Sequence, residues 1–101
     1  MRLFISQPMR DKTNEEIESE RKAIIEKVKG LFPNKNIEVI DSDSFFKDAP
    51  HEAKPLWFVG KSFELLSTAD VAYFAKDWEK YRGCQMEHDA CYNYGIPCYS
   101  D

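Results

Sequence analysis

The sequence predicts a single α/β domain over residues 1–101: a doubly wound parallel sheet of about four strands, ordered 2-1-3-4, with helices on both faces. Two observations carry this. Four short apolar runs of strand length alternate with stretches of helix length, the pattern of parallel strands joined by right-handed crossovers. The chain is also globular in composition, 43% hydrophobic and 14% aromatic over 101 residues. That length supports one core, burying roughly two-thirds of the unfolded surface.

The first strand is RLFIS, Arg2 to Ser6, and Gln7-Pro8-Met9 ends it. A helix follows over about Thr13 to Phe32. Thr13 with Glu16 three residues on is a capping box, and Ile17, Ile24, Val28 and Leu31 make one apolar stripe. Glu15, Glu16 and Glu18 fall early, and Lys22, Lys27 and Lys29 late, as the helix dipole favours. Pro33-Asn34 breaks the helix, and NIEVI, Asn36 to Ile40, is the second strand. Asp41 to Lys54 is a polar loop whose length marks it as functional or mobile. Pro55 suits the first turn of the next helix, PLWFVGKSFELLST, with Leu56, Val59, Phe63 and Leu66 as its core stripe. DVAYFA, Asp70 to Ala75, is the third strand, followed by the loop KDWEKYRG. The last helix runs from Cys84 to Tyr94 and is capped by Gly95, and Ile96 to Tyr99 is the fourth strand.

The net charge of −4 argues against a partner that is a nucleic-acid polymer or an anionic membrane surface. No apolar run approaches the ~20 residues of a membrane span, and MRLFISQPMRDK lacks the apolar region of a signal peptide. Cys84, Cys91 and Cys98 form no CxxC, which suggests reduced thiols in a cytoplasmic protein. Cys84 and Cys91, seven apart, would share one helix face as small buried hydrophobes.

In such sheets ligands bind at the carboxyl ends of the strands, beside the switch point. Three segments converge there: Ser6 to Arg10, Asp41 to Ala53, and Lys76 to Glu87. The rim is polar and aromatic, with Gln7, Asp41, Asp43, Phe45, Phe46, Trp57, Trp78, Tyr81 and Glu87, and its rings suit a flat ligand such as a nucleobase. Gly83 would let the backbone turn closely into the last helix. Glu87 would then lie in the first turn, where free amides and the helix dipole lower its pKa. An ionised carboxylate suits a nucleophile attacking a sugar carbon and suits a general acid poorly. The other reading is that Glu87 only satisfies the helix terminus, and spacing leaves both open.

Other constellations are weaker. His51 and His88 near Asp48, Glu52 or Asp89 have no HxxxH or HExxH spacing, so no metal site is expected. Cys84 at a helix N-terminus is a candidate low-pKa thiol. Asp41-Ser42-Asp43-Ser44 is half a calcium loop without its glycine and distal glutamate. Arg10 and Arg82 could pair with a phosphate, though each alone reads as solvated charge. Phe45-Phe46 is either a lid anchor or oligomer contact, or a base clamp.

Lys61 to Tyr99 resembles the nucleoside 2-deoxyribosyltransferase superfamily. The likeness rests on Phe4-Ile5-Ser6-Gln7-Pro8, on Ala69-Asp70-Val71 ahead of a strand, and on Gly83-x-x-x-Glu87 followed by Gly95-Ile96-Pro97. The SQPM start and the PLW…ELL…AD pattern look like a small branch of that superfamily found in phages and prophages. The resemblance implies a Rossmann-like, flavodoxin-like three-layer sandwich that needs no cofactor. It implies a covalent mechanism in which Glu87 attacks the anomeric carbon of a 2′-deoxynucleoside, as in retaining glycoside cleavage. It also implies a homodimer or larger homo-oligomer whose sites are completed across subunits. Ser6, Gln7, Pro8, Met9, Asp41, Phe46, Trp57, Ser62, Tyr81 and Gly83 are the implied substrate contacts. Ser62 and Tyr81 stand where transferases of the family carry aspartates. A binding module of the same fold, without turnover, is the alternative.

Overall fold

The computed structural model describes residues 1–41 and 49–101. Its strands are β1 (Arg2–Ser6), β2 (Glu38–Val39), β3 (Val71–Phe74) and β4 (Cys98–Ser100); its helices are α1 (Asn14–Leu31), α2 (Pro55–Leu66) and α3 (Arg82–Tyr94). All strand pairings are parallel, and the order is β2-β1-β3-β4, as the alternation of elements predicts. Leu3 pairs with Val71 and Ser6 with Phe74, so the two central strands end together at the carboxyl edge.

Side-chain period two sorts the core into two halves. Leu3 and Ile5 of β1, with Val71 and Tyr73 of β3, face α1 and meet Ile24 and Val28. Phe4, Ala72 and Phe74 face the other way, against Leu66 of α2 and Cys91 of α3. The result is a three-layer sandwich with α1 on one face and α2 and α3 on the other.

Local signals hold where they are strong. The Thr13 hydroxyl accepts from the Glu16 amide at 3.1 Å and starts α1. Gly95 takes φ 70° as the left-handed cap of α3, and the Ile96 amide closes back onto the Cys91 carbonyl at 2.9 Å.

Three expectations shift. Pairing in β2 covers only two of the five residues of NIEVI. The stripe on α2 is misphased: Leu66 is buried, but Leu56 is 71% and Phe63 36% exposed. The helix is apolar nearly all round, so periodicity had little contrast to work with. Finally, α3 begins at Arg82, two residues early, with Tyr81 as an N-cap that offers no side-chain hydrogen bond. Gly83 is therefore inside the helix and makes no special turn.

Candidate functional site

Period two places Ser6 on the same face of β1 as Phe4, the face that α3 covers. The buried stripe of α3 is Cys84, Glu87 and Cys91, at spacings of three and four that bring all three to one side. A carboxylate thus sits in a core-facing position between two thiols. Glu87 is 8% exposed and Ser6 2% exposed. The Ser6 hydroxyl donates to Oε1 of Glu87 at 3.2 Å.

This overturns the electrostatics expected for Glu87. It is the sixth residue of α3 and lies in the second turn, past the free amides. Burial dominates and pushes its pKa up from 4.5 to about 7, with the Ser6 hydrogen bond opposing. The carboxyl is consequently half ionised at neutral pH and can serve as nucleophile, base or acid. Cys84 is corrected too. Burial pushes its thiol up, the Ser6 hydroxyl pulls the other way and the Glu87 charge adds to the rise, so it is no activated thiolate. Burial also carries Cys91 up to about 12.

Since Ser6 favours the ionised form, Ser6→Ala is expected to raise the Glu87 pKa further, by about one unit. A carboxyl-carbon NMR titration of both proteins reads that shift directly. An unchanged midpoint would remove Ser6 from any role in holding the carboxylate.

The other expected contacts are brought together unevenly. Gln7 spends its amide on α1, donating to the Ile17 carbonyl at 2.8 Å and to Glu20 at 3.0 Å, with Lys12 beside Glu20 at 3.4 Å. Pro8 is buried, while Met9 and Asp41 are exposed. Trp57 is half-buried, edge-on to Phe58 at 5.1 Å and capped by the Lys61 ammonium at 5.6 Å. Ser62 is half-buried within α2 and hydrogen-bonds neither Glu87 nor Tyr81. A Cβ on Gly83 would meet nothing within 4 Å, so its face is open. Phe46 lies outside the described residues, as do Asp43, Phe45 and Asp48.

Trp78 does not open onto a mouth. It stacks on His88 at 4.1 Å, and both rings pack against Phe74, at 5.4 and 5.0 Å. His88 is half-buried in this cluster, with Cys98 Sγ 3.9 Å from its Nε2, and is not the solvated side chain its sequence setting suggests. Among the described residues no group of three or more His, Cys, Asp or Glu could hold a metal ion.

Two further features escaped the sequence. The nearness of Ser6 to both Cys84 and Glu87 joins residues about eighty positions apart. Arg10, Asp11, Lys80, Tyr81 and Arg82 line a single cavity of about 500 Å³. No described helix is long and apolar enough to cross a membrane. Comparison with protein-family models, curated proteins and solved structures finds no match to this chain.

Proposed function

We propose that this protein acts on the N-glycosidic bond of a nucleoside or nucleotide, with Glu87 as the reacting carboxylate. The observation that carries the reading is a buried glutamate, held by one serine hydroxyl at the carboxyl ends of the central strands, that titrates at about 7. The resemblance of Gly83-x-x-x-Glu87 to the deoxyribosyltransferase pattern supplies the substrate class.

In the reaction a Glu87 oxygen attacks C1′ of the deoxysugar. The C1′–N bond breaks, and the base leaves with that electron pair and takes up a proton. Water or a second base then attacks C1′, the ester bond to Glu87 breaks, and the carboxylate returns. Ser6 positions the attacking carboxylate. The ionised fraction of Glu87 carries the first step, so the rate should climb with pH through about 7.

A homo-oligomer agrees with the apolar face that α2 and α3 leave open. Phe63, Leu66, Ala90, Tyr94 and Ile96 line a cavity of about 450 Å³ there, and Leu56 is also exposed. Three free cysteines, two of them buried, suit a cytoplasmic setting.

Base release from a panel of 2′-deoxynucleosides and their 5′-monophosphates, followed by chromatography across the pH range, tests the proposal. A rate that rises through about pH 7 is the expected result. If no panel member releases base at high enzyme and long incubation, the nucleotide-binding reading takes its place. One observation favours that second reading: Glu87 is the only carboxylate among the buried described residues, so no second acid stands beside it.

A further inference from the structure

The cavity lined by Arg10, Asp11, Lys80, Tyr81 and Arg82 has a charge character opposite to that of the whole chain. Its walls come from two loops at the carboxyl edge of the sheet. Arg10 and Asp11 follow β1, and Lys80 to Arg82 lead from the turn after β3 into α3. Three cations meet there in a protein whose net charge is −4.

Their partners differ. Lys80 is taken by Asp77 at 3.3 Å. Arg10 and Arg82 are exposed and form no ion pair among the described residues, although Asp11 lines the same cavity. Two guanidinium groups facing one cavity without a counter-charge repel each other, and a dianion between them removes that repulsion. The planar forks of arginine match the oxygens of a phosphate, and the Tyr81 hydroxyl is a further donor. The volume suits a sugar-phosphate.

Position links this cavity to Glu87. Arg82 and Glu87 lie on one helix, five residues and therefore about 7.5 Å of rise apart. A deoxyribose with its 5′ ester spans a gap of that order. Arg10 follows Ser6, the hydrogen-bond partner of Glu87, by four residues.

We propose that Arg10, Arg82 and Tyr81 form a subsite for a phosphate monoester, which makes nucleoside 5′-monophosphates, and not free nucleosides, the substrate class. This rests on the N-glycosidic reading above for the chemistry, but not for the binding. Asp11 opposes the ligand and weakens the subsite.

The test begins with inorganic phosphate, titrated calorimetrically into the full chain against chloride at matched ionic strength. Phosphate should bind the native protein, Arg10→Gln/Arg82→Gln should lose at least about tenfold in affinity, and Asp11→Asn should gain. All three residues are exposed, so the variants should keep the native melting temperature. The second arm compares a 2′-deoxynucleoside with its 5′-monophosphate. The monophosphate should bind at least about tenfold tighter to the native protein, and that advantage should vanish in the double variant.

Phosphate no better than chloride, or undiminished affinity in the double variant, overturns the subsite. So does a monophosphate that binds no tighter than its nucleoside, which would assign the cavity to free phosphate. Base release from free nucleosides with no phosphate binding would leave the glycosidic reading standing and the subsite lost. Tight monophosphate binding without base release from any compound would uphold the subsite and sink the glycosidic reading.

Discussion

Glu87→Gln is expected to abolish base release and, at the same time, to make the protein more stable above neutral pH. The two effects share one cause. Glu87 titrates at about 7 in the folded chain against 4.5 when solvated, so folding favours its protonated form. The stability that goes with protonation is fully present below 4.5, declines as pH rises, and is gone above about 7. At about pH 8 the native protein therefore holds a buried charge costing about 3 kcal/mol, from a shift of about 2.5 units. Glutamine has the same shape, can still accept the Ser6 hydroxyl, and carries no charge. Its melting temperature should exceed the native one by on the order of 10 °C at about pH 8, and should match it at about pH 5. Thermal melts of both proteins at the two pH values measure this. A variant that melts lower at the alkaline pH would mean that something stabilises the ionised carboxylate, and the burial argument would fail. The expected pattern is that of a site residue kept at the expense of stability.

Phe74→Ala is expected to cost about 3–5 kcal/mol, a large part of the stability of a domain this size. Phe74 is fully buried on β3, one of the two central strands, in the core half shared with Phe4, Leu66 and Cys91. Its ring also supports the stacked pair of Trp78 and His88 from beneath. Truncation leaves a cavity under two half-buried rings that can collapse only by breaking their stack. Phe74→Leu keeps most of the volume and should cost less than about 1.5 kcal/mol. Urea unfolding followed by tryptophan fluorescence compares the two, because Trp78 reports on the same cluster. Equal losses would show that the aromatic edge contacts, and not the cavity, set the cost.

The sheet was legible because its signals are local. Strand-length runs between caps such as Thr13, Pro55 and Gly95 fix the elements, and the crossover rule then limits their order. The start of α3 was not legible, because Tyr81 is not a residue that announces an N-cap. That two-residue error moved Glu87 from the first turn to the second and reversed the expected sign of its pKa shift. No reading of spacing shows desolvation, which depends on β1 lying across the helix. The phase of α2 was lost for a different reason: Leu56, Trp57, Phe58, Val59 and Phe63 leave almost no polar face to define the buried one. Arg10 and Arg82, each unremarkable alone, acquire meaning only when folding brings them to one cavity.

The strand order also bears on how the chain is made. The central strand β1 is the first to leave the ribosome, yet its main partner β3 begins at Val71. Until then β1 can pair only with β2, over two residues. The nascent N-terminal half thus carries an apolar strand with one edge unpaired while most of the remaining chain is translated, the situation in which chaperones are needed. The brevity of that strand, five residues from Arg2 to Ser6, limits the sticky edge during the wait.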